Sequence, residues 1–475
     1  VALPSSLRVI RDPDIIAGYL SDASNTTGHA EALVRPETPE DAAALVAHCQ
    51  GAGIPLTITA RRTATTGAPV PEGGWLLSTE RLDRVHALDD VDGGVVLGEH
   101  QATVEAAGRL FPPDPTSRHE CSIGAAIACN ASGARSFRYG ATRPWIRALQ
   151  VVLPTGELLW CDRSTPLPAD WPALDWSEPA VKTAAGYVPE NNLMDAIIGA
   201  EGTLGLVTRA RLELTALPRG VLSLLAFFAD RQSMLAMVDA ARAQANRARQ
   251  PREPGPLSPR AIEYYDRHAL DMVRQRVPDI PESARHGLFF EIEHDGTDDA
   301  AGGLLELWWT ALEDHGALMD DVIVAEDDAG RARLHAVRHA VPAGVNEQVV
   351  ANGMPKVGTD FAVPDEALPA MMDAYEAVGL KSVCFGHIGD NHLHLNLLPE
   401  TAAELERARA LYAELAMQAV ALGGTVSAEH GIGKLKRGLL ARMVGPAVLN
   451  SFRRRKQAAD PAWILGRGTL LTPRS

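Results

Sequence analysis

The stretch FGHIGDNHLHLN, residues 385–396, decides how the second half of the chain is read. His392, His394 and Asn396 alternate with Leu393, Leu395 and Leu397. That period of two puts polar side chains on one face of a strand and apolar ones on the other. Gly389 permits a bend that brings His387 toward His394. Further along, SAEHGIG (427–433) sets a carboxylate, Glu429, beside an imidazole, His430, in a Gly-flanked loop. Two imidazoles and one carboxylate make a facial set for a divalent metal with positions left for a substrate. An isolated His on a half-buried strand is more often a hydrogen-bonded structural residue than a ligand. The joint pattern is more specific, because three of the fifteen histidines fall within eight residues.

Outward from this stretch, segments 221–228, 287–293, 322–325 and 382–387 read as strands between Ala-rich helical stretches. Residues 250–259 carry four prolines and read as a loop. The chain is helical again from Ala402 to Gly423-Gly424, and a last segment ends near Asp460-Pro461. These elements make an α+β domain with a mainly antiparallel sheet. Arg338 and Lys356 stand out as basic positions near the polar constellation. A buried Arg beside a metal clamps a carboxylate through two parallel bonds, whereas solvent exposure is the commoner fate of both residue types. The run Arg453-Arg454-Arg455-Lys456 reads as a solvated helix face.

The first half alternates helices and strands. Thr38 is a good N-cap, Pro39 suits the first helical position, and Glu40 and Asp41 favour the positive helix end. Gly51 and Gly53 are expected to stop that helix before a strand at 54–58. Segments 146–153 and 157–161 read as strands joined by Pro154-Thr155-Gly156, and another strand runs over 206–214. No G-x-G-x-x-G follows a strand, so a Rossmann nucleotide site has no fingerprint. Two other Gly-containing stretches, 121–140 (CSIGAAIACNASGARSFRYG) and 199–208 (GAEGTLGLVT), expose backbone N–H groups that can cradle a pyrophosphate.

Composition bounds the partners. The 475 residues carry 45 basic and 60 acidic side chains, a formal charge of −15, which argues against nucleic acid as the main partner. No apolar run approaches the roughly 20 residues of a membrane span. Five scattered cysteines, never paired as C-x-x-C, exclude an iron–sulfur cassette within the chain and point to free thiols. Residues 1–12 lack the basic and apolar regions of a signal peptide, so the cytoplasm, including its membrane periphery, is the expected location.

Taken together, EGTLG (201–205), the His387–His394 segment and SAEHG (427–431) resemble FAD-linked oxidases and dehydrogenases of the vanillyl-alcohol-oxidase superfamily, PCMH-type, in the branch of D-lactate, glycolate and D-2-hydroxyglutarate dehydrogenases. The resemblance runs from Val34 to Ile464. It implies an FAD-binding domain at 1–218, a cap with an antiparallel sheet flanked by helices at 219–425, and a C-terminal segment, 426–475, that returns to the first domain. It implies His387, His394 and Glu429 as metal ligands and His430 as catalytic base. Arg338, Lys356 and Asn396 are the implied substrate-binding residues. The implied FAD contacts are Arg62, Thr63, Thr65, Thr66 and Gly67 in one loop. Cys121, Ser122, Gly124, Ala128, Asn130, Gly133, Tyr139 and Gly140 follow in a second, and Glu201, Gly202, Gly205 and Val207 in a third.

One loop departs from the family pattern. Where Arg-Gly-x-Gly-Thr is usual, residues 59–67 read TARRTATTG, with Ala60 and Arg62 replacing glycines. A Cβ disfavours left-handed backbone, so the loop is expected to differ in shape, with Arg61 or Arg62 supplying charge. Ser132 in place of Gly is a milder change. No His matches a covalent flavin attachment, and FAD is expected to be non-covalent. The implied reaction is oxidation of a D-2-hydroxy acid to the 2-keto acid, by metal-assisted proton abstraction and hydride transfer to flavin N5. Zn, Mn or Fe suits the ligand set, and an external electron acceptor is required. The alternatives are a redox-neutral flavoprotein of the same superfamily, or a non-catalytic flavin-binding subunit of a dehydrogenase.

Overall fold

The computed structural model describes residues 3, 4, 7–274, 280–325 and 327–472. Thr38 opens the helix Pro39–Ala52, its Oγ1 accepting from the Asp41 N–H at 3.1 Å. That bond satisfies one of the donors a helix start leaves unpaired. Gly51 is carried through as helix, and Gly53, at φ +66°, ends it. Leu45, Val46 and Cys49 of this helix pack on a four-stranded sheet in which Leu56–Thr59 and Ala32–Val34 flank Trp75–Ser78 in parallel. Ile464 and Leu465, from the far end of the chain, enter the same core, and the Ile464 carbonyl accepts from the Leu56 N–H at 2.7 Å.

The strands expected at 146–153, 157–161 and 206–214 form as Ile146–Val152, Leu158–Cys161 and Leu206–Leu212. They belong to a five-stranded antiparallel sheet completed by Val85–Ala87 and Asp90–Asp92.

The second half is built on an eight-stranded sheet whose paired strands are all antiparallel. Its strands run in the order Ile323–Ala325, Gly220–Phe228, His286–His294, Ala261–Asp266, Ser382–His387, His392–Leu397 and Val357–Gly358. Phe361–Ala362 also pairs with His392–Leu397. The Ser382–His387 and His392–Leu397 hairpin sets His387 opposite His392 and Phe385 opposite His394. Gly389 sits at the middle of its turn. A short 3-10 turn, Ile388–Asp390, makes the reversal, and Asn391 takes the left-handed backbone at φ +53°. Gly389 also allows a close approach, since a Cβ there would meet Phe137 Cδ2 at 2.8 Å.

The basic run at 453–456 corrects its reading as a solvated face. Arg455 and Lys456, on the helix Arg437–Ala459, are buried. Lys456 Nζ donates to the Thr203 carbonyl, Asp460 Oδ2 and the Leu465 carbonyl at 2.6–2.9 Å. Helical pitch turns this ammonium inward, where an acid and two carbonyls replace its water. Among the described residues, no helix is long and apolar enough to cross a membrane, and all five cysteines are free.

Candidate active site

The hairpin brings the histidines of the 385–396 stretch to the loop that carries Glu429. His387 Nε2 and His394 Nε2 lie 3.6 and 3.5 Å from Glu429 Oε1. One ligand atom from each of His387, His392, His394 and Glu429 falls within 4.8 Å of the others. The far sides of two rings are already held. His387 Nδ1 lies 2.6 Å from Glu263 Oε1, and His394 Nδ1 3.1 Å from the Thr359 carbonyl. Partners at Nδ1 direct the Nε2 lone pairs inward, the outer-sphere support that imidazole ligands of metals usually have. The donor set therefore fits a divalent cation.

Charge around the cluster is tightly arranged. Burial works against ionised Glu429, but the Lys182 ammonium at 2.9 Å from Oε2, with His387, holds its carboxyl well below the usual range. Ser132 Oγ donates to the same Oε2 at 3.3 Å. Burial also opposes the imidazolium of His387, yet the Glu263 carboxylate outweighs it and pushes the ring up to about 9. A cation entering the cluster displaces the Nε2 proton.

Asp360 anchors the Glu429–His430 turn. Its carboxylate accepts the Glu429 and His430 N–H groups, each at 3.1 Å, Ser427 Oγ at 2.7 Å and Lys436 Nζ at 2.6 Å. His430 Nδ1 stands 3.5 Å from Asp360 Oδ2, and Nε2 lies 3.7 Å from Glu429 Oε1. Glu201, from the EGTLG stretch, fastens the same loop, accepting from the Ile432 and Gly433 N–H groups at 2.8 Å each.

Against this cluster lies a cavity of about 590 Å³, within the size range of cofactor sites. Glu429 and His430 line it together with three loops. Arg62, Thr63 and Thr65 line it from the first, Cys121, Gly124 and Ala128 from the second, and Glu201, Gly202, Gly205 and Val207 from the third. Thr59 Oγ1, buried on the same wall, has no partner among the described residues. A hydroxyl that meets a ligand would be left in that state, so the cavity fits a polar cofactor such as FAD.

The remaining residues expected at a flavin stand off this wall, and each has a structural use. Thr66 receives the Lys434 N–H on its carbonyl at 2.9 Å, and the Gly67 N–H donates to Asp22 Oδ2 at 2.9 Å. Ser122 caps the helix Ile123–Ala128, and Asn130 Oδ1 accepts from the Arg143 N–H at 2.9 Å. Gly133 is pressed against the Asp114 carbonyl, Tyr139 donates to Glu293, and Gly140, at φ +76°, ends the helix Ser136–Tyr139.

The 59–67 loop accommodates a Cβ on left-handed backbone at one of the two substituted positions. Arg62 adopts φ +58°, left-handed backbone of the kind a glycine would supply there. Its guanidinium lies 4.8 Å over the Tyr19 ring. A cation–π contact of about 0.5–1 kcal/mol offsets much of the roughly 1–2 kcal/mol cost of that backbone.

Among the expected substrate-binding residues, Asn396 is buried on the same strand face as His394 and donates to the His394 carbonyl at 3.2 Å. Arg338 is half-buried with Nε 3.5 Å from Glu263 Oε2, so it shares the carboxylate that orients His387. Lys356 is exposed, just before the strand Val357–Gly358.

Residues 229–470 match the family described as FAD linked oxidases, C-terminal domain, and residues 30–162 match an FAD binding domain. The chain belongs to the FAD-linked oxidases. It is 27% identical to D-lactate dehydrogenase of Anaerostipes hadrus, over 98% of this chain and 94% of that one. It is 29% identical to D-2-hydroxyglutarate dehydrogenase of Xanthomonas citri pv. viticola, over 99% and 95%. Glycolate oxidase subunit GlcD of Bacillus subtilis is 26% identical over 93% and 88%. Among solved structures, alkyldihydroxyacetonephosphate synthase superposes with a TM-score of 0.68 at 16% identity, covering 98% of this chain and 83% of that one. The shared fold is the α+β FAD-binding architecture with an antiparallel cap, and the chain is an FAD-linked oxidoreductase.

Sequence reading assigned no role to Lys182, Asp360, His392 or Glu263. Lys182 and Asp360 are each a charge beside small or apolar neighbours, a weak sign of burial with a partner. His392 shares its strand face with His394, which was signal enough to add it to the set. Glu263 carries no local signal, because only the pairing of its strand with Ser382–His387 brings it to His387.

Proposed function

We propose that this FAD-linked oxidase oxidises a D-2-hydroxy acid to the 2-keto acid, with a divalent ion held by the His387, His394 and Glu429 cluster. The observation that carries the reading is that Glu429 belongs both to that cluster and to the wall of the cavity, with His430 beside it on the wall. Oxidation removes a proton from the hydroxyl and a hydride from C2. When bound, FAD supplies the hydride acceptor and the ion supplies the charge that lowers the hydroxyl pKa.

The protein's own groups do the rest. His430 Nε2 takes the hydroxyl proton, and Asp360, against Nδ1, fixes the ring and stabilises the imidazolium that forms. Arg338 and Lys356 hold the substrate carboxylate, and Asn396 the neighbouring oxygen, so that C2 faces the flavin side of the cavity. Glu201 keeps the 431–433 loop, and with it His430, against the cavity. Electrons leave to an external acceptor.

Anaerobic addition of D-lactate, D-2-hydroxyglutarate and glycolate, beside L-lactate and L-2-hydroxyglutarate, tests this directly. At least one D acid or glycolate is expected to bleach the flavin with equimolar keto acid formed. Chelation or His430→Asn is expected to slow bleaching by about 10²-fold or more while the yellow colour persists. Bleaching by none of the panel, or at an unchanged rate after chelation and in His430→Asn, overturns the reading.

A further inference from the structure

His392 is fully buried, and among the described residues its Nδ1 has no hydrogen-bond partner. Nε2 lies 3.0 Å from Asp360 Oδ1, and Nδ1 faces Glu429 Oε2 at 3.8 Å. A buried polar atom left in this way costs about 1–3 kcal/mol, and native interiors rarely tolerate it without an ion, water or catalytic role.

The surroundings say which role. The His392 and His394 rings lie side by side, 4.3 Å between centroids. The three imidazoles approach Glu429 at 3.5, 3.6 and 3.8 Å. Donors bound at about 2.0–2.2 Å to a common ion lie roughly 3 Å from one another, so each imidazole stands within about an ångström of that spacing from Glu429. Asp360 at the outer nitrogen of His392 repeats what Glu263 does for His387 and the Thr359 carbonyl does for His394.

We infer that His392 is a fourth protein ligand, so that three imidazoles and one carboxylate hold the ion. The inference rests on the proposed metal-assisted function and sharpens its choice of metal. A tetrahedral zinc ion with four protein ligands is closed, with no position for substrate. A six-coordinate ion with the same four ligands keeps two positions, which a 2-hydroxy acid fills through its hydroxyl and one carboxylate oxygen. Four protein ligands with room for a chelating substrate therefore favour a six-coordinate ion of the manganese or ferrous type over a tetrahedral one.

X-ray absorption on the flavin-loaded protein, stripped by chelator and reloaded with Mn(II) or Zn(II), counts the imidazoles. Three are expected in the wild type and two in His392→Asn. The Mn(II) Kd of the variant is expected to rise by more than about tenfold, the loss that outer-sphere partners alone can cause. The flavin absorbance and circular dichroism of the variant report its folding, and the wild-type count stands if the variant does not fold. Two imidazoles in the wild type, or an unchanged Mn(II) Kd in folded His392→Asn, overturns the inference and leaves the three-ligand site standing. A wild-type protein that retains neither ion overturns both.

Discussion

The ammonium of Lys182 lies 2.9 Å from Glu429 Oε2, with both side chains buried. One cation thus already neutralises the carboxylate that a metal would share. Removing it leaves a buried charge uncompensated, which costs about 3–5 kcal/mol. Lys182→Met is expected to lose stability on this scale in metal-free protein, and less than half as much with saturating Mn(II). Denaturant melts of both proteins with and without the ion check this, and an equal loss in both conditions counts against a shared carboxylate.

Arg61 is exposed on the cavity wall, whereas the Arg62 side chain is engaged over Tyr19. Arg61 is therefore the guanidinium free to meet the FAD pyrophosphate. Arg61→Ala is expected to weaken FAD binding to the apoprotein by about fivefold at low salt, in line with roughly 1 kcal/mol for an exposed pair. The difference should fade at high salt as screening shortens the reach of the charge. Fluorescence titration with FAD measures both, and a salt-independent deficit would point to lost packing instead.

Asp266 gives a pH dependence remote from the redox chemistry. Burial outweighs the N–H groups that donate to it and pushes its carboxyl up to about 7. The folded value is above the unfolded one, so the native state holds an extra proton between about pH 4 and 7. The stabilisation is whole below the unfolded pKa and is lost as the pH rises through about 7. Wild-type protein is expected to lose stability across this window, and Asp266→Asn to lose less. Denaturant midpoints at pH 5 and pH 8 measure the two slopes, and parallel slopes refute the assignment.

Much of this architecture is legible in local sequence. Thr38 and Pro39 announce their helix, and the alternation after His392 announces its strand, because both signals arise within a few residues. Gly389 marks the bend in the sequence, but the left-handed Asn391 beside it and the Phe137 ring packed on Gly389 have no local signal. Lys456 was read by its charge, although three oxygens from other segments make its burial affordable. Glu263, Asp360 and Lys182 acquire their roles only through tertiary pairing, so no spacing rule reaches them. The cluster around Glu429 could be guessed as chemistry, but its counter-charges could not.

Ser132 and Glu429, joined by a hydrogen bond, are 297 positions apart, with Lys182, Glu263, Asp360 and the histidine hairpin drawn from between them. During translation, the chain must leave the ribosome to beyond Glu429 before these groups can meet. Fragments that end before Glu429 lack the carboxylate that draws the hairpin, Lys182 and Ser132 together.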